Sequence, residues 1–515
     1  MLYSFNKLIF LLFNVGIISY NTIYLLEFFS KLNFLYLLLS TFFSLIIFLF
    51  NNYAKKRALH NFSFVFKNVN YFLLLSIITL SCLFIINFFL YVKTLAEFSY
   101  LANSNTFLFD KNFGAFFFFN SKLNIDLYGF ILVFLAFFVG FFSLLVSDNK
   151  IKNTNTNFFF YFHYFLFVVY AFVSIEDVIS IFIFYELLLV PSFFFVYFVS
   201  YTRKAVQASL YFVIWTQVGS ILVLIAILYI LSITGNSSFS FIRTFIFKEQ
   251  EFYVIYTLLF VGFGFKVPIW PFHYWLTKTH VEASSGFSIY LSGFLVKSAL
   301  FAFFKITNLI SCEVETVFFS AIAFIGAIDA SLKMWGQSDI KKLVAYCTIQ
   351  EMNLILLMLL LGDSNASLCA IIFSAAHAFL SSLMFFLVDC IYRRFHSRSV
   401  YNINGLLHIT PNLGISIILM CVLYSGLPGT IKFSCEFFIF STLFENSWIS
   451  CLILMLVVNV FGLIGFSKPW FNLIFGLSNY TVSQKVLDLS WKELYVVFYT
   501  FFLFFLINYT FIFSI

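Results

Sequence analysis

Apolar runs of membrane-crossing length, returning along almost the whole chain, are the feature that most restricts what this sequence can fold into. They include Leu8–Tyr20, Phe34–Phe50, Tyr71–Val92, Tyr128–Val146, Phe158–Val173 and Phe252–Phe265. A bilayer core is crossed by about 20 apolar residues wound into a helix. The helix is required because hydrocarbon offers the backbone no other hydrogen-bond partner. Hydrophobic residues make up 62% of the chain, charged residues 10%, and the mean hydropathy is +1.01. A soluble domain carries roughly 25% charged residues, so this chain has too little polar surface to cover a water-facing globule. The expectation is an all-α, polytopic membrane protein with about 14 transmembrane helices.

Polar punctuation places three helices before residue 100 and a polar, extramembrane stretch from Ala102 to Asn124. Further helices are expected from near 128, 157, 177, 208, 252, 286, 316, 343, 366, 415, 449 and 494. Met1–Tyr20 has one Lys and no small-residue cleavage site, so it reads as a first membrane helix and not as a removed signal or transit peptide. The 83 Phe, with abundant Asn, Ile, Lys and Tyr, are residues with AT-rich codons. That composition fits an organellar gene whose product is inserted in its own compartment.

Two segments break the helical pattern in the same way: Gly264-Phe-Lys266-Val-Pro268-Ile-Trp-Pro271 and Gly426-Leu-Pro428-Gly429-Thr430. Proline removes a helical hydrogen bond and clashes with the preceding turn. In a membrane such breaks are tolerated where they line a wet cavity, and a pair of them in two halves of a chain points to a transporter's inverted repeat. The chain accordingly divides into N-terminal helices and a loop (1–125), a first half-channel repeat (126–310), a second (311–470) and a C-terminal loop and helix (471–515).

The net charge of +7 is not a nucleic-acid footprint. Lys55-Lys56-Arg57, Arg203-Lys204, Lys341-Lys342 and Arg393-Arg394 fall between apolar runs, where positive charge sets membrane topology. The eight Cys form no C-x-x-C pair, which argues against an iron–sulfur or zinc site on this chain. No glycine-rich phosphate loop of standard spacing is present.

The chemistry lies in ionisable residues inside apolar runs. Lys297 sits within Ile289–Phe304 and Glu186 within Ile179–Pro191; Lys266, Glu351, His377 and Glu436 occupy similar settings. A mid-membrane charge costs roughly 2.5–3.5 kcal/mol on insertion scales, so each needs a partner or water, and such residues mark proton relays. Each also has a plainer reading. Either Lys can snorkel to a headgroup, Glu186 can pair structurally, His377 can serve helix packing, Glu351 can lie near a helix end, and Glu436 can bind water at the break. Six of them on successive helices favour a relay.

These residues and their surroundings resemble the chain 4 family of antiporter-like membrane-arm subunits of NADH:ubiquinone oxidoreductase, respiratory complex I. Lys266-Val-Pro-Ile-Trp-Pro-Phe-His273-Tyr-Trp275-Leu276-Thr-Lys278-Thr-His280-Val-Glu282-Ala283 is similar to the family's K-x-P…H-x-W-L-P-x-A-H-x-E-A-P. Phe184-Tyr-Glu186-Leu with Pro191, Gln337-Ser-Asp339-Ile-Lys341, Ala376-His377-Ala, Tyr392–Arg398, and Leu427-Pro428 leading to Glu436-Phe437 extend the likeness over about 128–445.

The resemblance implies a subunit that moves protons along a central polar axis, coupled to quinone reduction elsewhere. Glu186 and Lys266 would be the ion pair of the first half-channel, Lys297 the central relay, His377 the link between halves and Glu436 the terminal residue. His273, with His280 and Glu282, would line the entrance. Two departures stand out: Glu351 replaces the His of the family's "SVSHM" motif, and Lys432 stands where Asn is usual, four residues before Glu436. On a helix those two are neighbours, so Lys432 either holds Glu436 ionised or snorkels. FMN, iron–sulfur clusters and ubiquinone would belong to other subunits. The implied partners are those subunits, lipid and protons, in the mitochondrial inner membrane. A multi-subunit cation/proton antiporter subunit and a non-transporting membrane scaffold are the alternatives.

Overall fold

A computed structural model describes residues 126–146, 157–193, 203–310, 316–361, 364–476 and 487–512. The helices expected before residue 100 and the Ala102–Asn124 stretch lie outside the described residues. Leu127–Ile515 cluster as one compact unit. Its described residues are mostly helical, with isolated β-bridges that include Asp177–Ser238 and Asp339–Ser399.

The principal helices, labelled in chain order among the described residues, are α1 (Leu127–Val146), α2 (Asn157–Ser174), α3 (Val178–Leu187), α4 (Arg203–Thr234), α5 (Glu249–Lys266) and α6 (Tyr274–Glu282). Next come α7 (Ser285–Thr307), α8 (Val317–Met334), α9 (Ile340–Leu360) and α10 (Ser364–Phe395). The last four are α11 (Pro411–Tyr424), α12 (Ile431–Asn446), α13 (Trp448–Ile474) and α14 (Trp491–Ile512). Six of these, α4, α7, α8, α9, α10 and α13, are long and apolar enough to cross a membrane, and shorter apolar helices accompany them. The helix starts expected from 128 onward fall within five residues of observed ones.

Local sequence explains several of these boundaries. Asp177 caps α3 by accepting from Ser180 N at 2.9 Å and Ser180 Oγ at 2.7 Å. Asp339 caps α9 by accepting from Lys341 N at 2.9 Å, and Thr430 caps α12 through Phe433 N at 3.4 Å. Each cap satisfies an amide that the first helical turn leaves without a partner. α7 and α13 each contain a π-helical turn, Leu291–Leu295 and Met455–Gly462.

Burial separates an inner layer from an outer one. In the apolar windows of α9 and α10, 89% and 94% of residues are buried; in α4 and α13 only 39% and 33% are. The outward residues of α4 include Leu210, Ile214, Ile221 and Leu228, a face suited to lipid and not to water. α4 and α5 approach closely because both are glycine at the crossing: a Cβ on Gly219 would lie 2.5 Å from Gly262 O. Small residues permit such backbone approach in membranes, where packing drives association.

Both expected breaks are real. Residues 267–273 interrupt the chain between α5 and α6, and residues 425–430 separate α11 from α12. Helix interruption frees carbonyls that need donors. Trp275 Nε1 donates to Phe265 O at 2.6 Å, and Asn353 Nδ2 of α9 donates to Pro268 O at 3.4 Å. At the second break Gly426 and Gly429 take positive φ, +67° and +93°, a conformation that costs glycine nothing and other residues considerably more.

Candidate functional site

The buried ionisable side chains gather into two groups. In the first, Lys266 at the end of α5 donates from Nζ to Glu186 Oε1 of α3 at 2.7 Å. Glu186 Oε2 accepts from Gln217 Nε2 of α4 at 3.3 Å. The Lys266 ammonium also stands 3.6 Å from the centre of the Tyr185 ring, a favourable cation–π placement. Three helices thus converge on one ion pair. Its position follows from the Gly219–Gly262 crossing, which sets Gln217 beside the end of α5.

The second group is longer. Lys297 of α7 is fully buried. Its Nζ donates to Ser292 O, which lies in the π-turn of the same helix, and meets His377 Nδ1 of α10 at 2.7 Å. The other ring nitrogen, His377 Nε2, faces Glu351 Oε2 of α9 at 3.7 Å. Glu351 Oε1 accepts from Lys432 Nζ of α12 at 2.6 Å, and Lys432 lies 3.6 Å from Glu436 Oε1 one turn further on. Lys297, His377, Glu351, Lys432 and Glu436 therefore form one row across four helices. The Lys432 ammonium stands 3.6 Å from the centre of the Tyr424 ring, matching Lys266 over Tyr185.

Several plainer readings fail on this geometry. Lys297 does not snorkel, because its side chain is enclosed and bonded inside the bundle. Glu351 is not near a helix end; it lies mid-way along α9 and is 1% exposed. Lys432 is buried between two carboxylates and does not reach for a headgroup.

His273 belongs to a separate cluster at the first break. Its Nε2 lies 3.2 Å from Lys333 Nζ and 3.6 Å from Asp329 Oδ2, and Lys333 pairs with Asp329 at 2.6 Å. His280 is fully buried against the Phe385 ring at 4.6 Å, with no hydrogen bond to either ring nitrogen. No direct hydrogen bond links Lys266 to Lys297 among the described residues, so the two groups are separate.

Other functional candidates were not legible as such. Lys432 is spaced to meet Glu436, but its tighter partner is 81 residues away in sequence. Gln217 and the rings of Tyr185 and Tyr424 gave no signal, being ordinary residue types in apolar helices. Lys341, which reads as a topology charge, is buried and donates to Ala283 O at the end of α6. Lys305 is likewise buried, bonded to Val173 O and Ile175 O at 2.9 and 3.1 Å. Both cations sit at helix-end carbonyls, where the helix dipole favours positive charge. Among the described residues no group of three or more His, Cys, Asp and Glu is arranged to hold a metal ion.

Comparisons with known proteins agree on one family. The family model described as "NADH:quinone oxidoreductase/Mrp antiporter, TM" matches residues 176–462, which hold every group of the two clusters. NADH-ubiquinone oxidoreductase chain 4 of Paramecium tetraurelia is 47% identical over 452 residues, covering 87% of this chain and 94% of that one. Among solved structures, a chain of the membrane-bound sulfane sulfur reductase, an archaeal respiratory membrane complex, aligns with TM-score 0.74 at 17% identity, covering 93% of this chain and 94% of its own. A chain of respiratory complex I from Thermus thermophilus with bound NADH aligns with TM-score 0.68 at 20% identity, covering 75% and 82%. These last two likenesses are of fold. This multi-pass membrane chain belongs to the NADH:quinone oxidoreductase/Mrp antiporter family, among the chain 4 subunits of NADH-ubiquinone oxidoreductase.

Proposed function

We propose that this chain carries protons through the membrane arm of a mitochondrial NADH:ubiquinone oxidoreductase, using Glu186, Lys266, Lys297, His377, Glu351 and Glu436. The observation that carries this reading is the buried row Lys297–His377–Glu351–Lys432–Glu436. Desolvating so many charges serves no packing purpose that apolar residues would not serve better, since a buried ion pair is seldom a net source of stability.

In this reading residues 126–310 and 311–470 are two half-channel repeats. The support is local: in each, an Asp caps the helix that bears the key Glu, and a β-bridge runs from that Asp to a Ser. In each, a Lys beside a proline break pairs with that Glu over a tyrosine ring. Residues 1–125 and 471–515 flank the repeats. A carboxylate that stays with or leaves a buried lysine decides whether the lysine holds its proton, so the Glu186–Lys266 pair would gate proton delivery to Lys297. His273 would line the entrance at the first break. FMN, iron–sulfur clusters and ubiquinone would be held by neighbouring subunits, and the chain itself would perform no redox step.

The eukaryotic relative and the composition rich in residues with AT-rich codons support a place in the inner mitochondrial membrane. The family model also covers Mrp antiporters, but the relative matched across 94% of its length is a complex I subunit, which favours that assembly. The test is Lys297→Ala in the intact complex, reconstituted in sealed vesicles. An assembled particle should oxidise NADH with fewer protons moved per electron pair. Parental proton yield in that variant would sink the relay.

A further inference from the structure

We infer that Lys432 is a switching cation: by changing carboxylate partners between Glu351 and Glu436 it opens and closes the gap between His377 and Glu351. The inference rests on the reading that this row carries protons, and it assigns the step that controls passage through the second half.

The starting observation is a discontinuity. Lys297 Nζ stands 2.7 Å from His377 Nδ1; a charged Lys297 can only donate there, which puts the proton of a neutral ring on Nε2. That nitrogen faces Glu351 Oε2 at 3.7 Å, beyond hydrogen-bond length. Both atoms are buried, and neither has a hydrogen-bond partner. Two unsatisfied polar atoms facing each other inside a bundle are costly. A small movement of the Glu351 carboxylate toward the ring would satisfy both.

Lys432 is what holds that carboxylate away. It grips Glu351 Oε1 at 2.6 Å, while Glu436 Oε1 is 3.6 Å off, so the two partners differ by 1.0 Å. One cation thus serves two acids. Its other neighbour, the Tyr424 ring, attracts the ammonium without fixing its direction. The ring is anchored, since Tyr424 Oη donates to Gln350 Oε1 at 2.9 Å. A lysine on a fixed aromatic platform between two carboxylates can slide from one to the other. The second break leaves room for Glu436: Gly426 has no side chain where a Cβ would stand 3.1 Å from Glu436 Oε2.

The proton count closes. With Lys432 on Glu436, Glu351 loses its counter-charge and draws in the Nε2 proton of His377. The ring takes a proton from Lys297 at Nδ1 in the same passage, leaving the imidazole neutral and Lys297 free to be recharged. Before the next passage the ring returns that proton from Nδ1 to Nε2 by tautomerising, which restores the acceptor facing Lys297. The proton on Glu351 then moves to Glu436 as Lys432 returns to Glu351, so cation and proton exchange places. One proton enters at Lys297 and one leaves from Glu436.

The test uses the whole complex. In Lys432→Arg the charge is kept, but a guanidinium fork can hold both carboxylates at once; in Glu436→Gln the second partner is gone. Each variant should assemble and lose proton yield per NADH to the level of Lys297→Ala. Parental yield in both, while Lys297→Ala is impaired, overturns the switch and leaves the relay standing. Parental yield in Lys297→Ala overturns the relay itself. Should either variant fail to assemble, electron cryomicroscopy of the unmodified complex, resting and during NADH oxidation, decides. The switch requires a turnover population with Lys432 on Glu436 and the His377–Glu351 gap closed; one arrangement in both samples refutes it.

Discussion

The two ion pairs look alike and are built for different burdens. Glu186–Lys266 is one acid with one base, and 21% of the Glu186 side chain is exposed while Gln217 supports its second oxygen. Glu351–Lys432 is 0.1 Å shorter, at 2.6 Å against 2.7 Å, and has the same kind of aromatic floor, but the acid is 1% exposed and a second carboxylate competes for the base. A pair with some solvent and a neutral helper can separate without leaving a bare charge in hydrocarbon. The enclosed pair cannot, so any separation there must be covered by another charge, and Glu436 is the group placed to do it. The comparison teaches that duplicated geometry need not mean duplicated energetics: burial and stoichiometry of charge decide what a pair can do.

The largest expected effect breaks the enclosed member. Lys432→Met should cost about 3–5 kcal/mol, because it leaves Glu351 and Glu436 buried without their cation, and Glu351→Gln should cost less, because Lys432 keeps Glu436. The readout is yield of intact complex, and the double variant should recover part of the Lys432→Met loss, since Glu436 alone then stays without its cation. Equal yields for the singles and the parent would show that the triad is not energetically coupled.

Next comes the open member. Glu186→Gln and Lys266→Met should be sub-additive in a double-mutant cycle, with each single loss toward the low end of roughly 3–5 kcal/mol, since Glu186 is partly solvated. Proton yield should fail in all three variants. Additive losses would separate the two residues; retained yield in Glu186→Gln would make the acid structural.

Smaller effects sharpen the contrast. Gln217→Leu removes one hydrogen bond to a charged group, worth about 1.5–3 kcal/mol when enclosed and less here. It should slow proton transfer without blocking it, whereas no equivalent substitution exists for the second pair. Gly426→Ala meets a left-handed backbone at φ +67°, a strain of about 1–3 kcal/mol, and crowds Glu436. Its mark should be a modest fall in thermal stability, and an unchanged midpoint would show that the break relaxes freely.

Much of this was legible in the chain, for identifiable reasons. Lys297 and Glu186 declare themselves because a charge in an apolar run has few innocent explanations. The breaks at Pro268 and Pro428 are legible because proline cannot continue the hydrogen-bond ladder. Lys432 was only half legible: its i, i+4 relation to Glu436 is a helix periodicity, but its bond to Glu351 spans two helices distant in sequence. Lys341 was misleading, since a cation at a helix end can face water or cap another helix, and sequence does not distinguish the two.

The sequence alone determined the class of solvent, the helical content and the identity of the ionisable residues, because those follow from composition and from the backbone's need for partners in hydrocarbon. Tertiary structure alone decided which charges meet. Pairing depends on which helix faces turn toward each other, and in a membrane that is set by close packing at contacts such as Gly219–Gly262, over distances of a fraction of an ångström. The 1.0 Å difference between Lys432's two partners is of that kind: it arises from where α9 and α12 are each held against α10, and no periodicity in the chain encodes it.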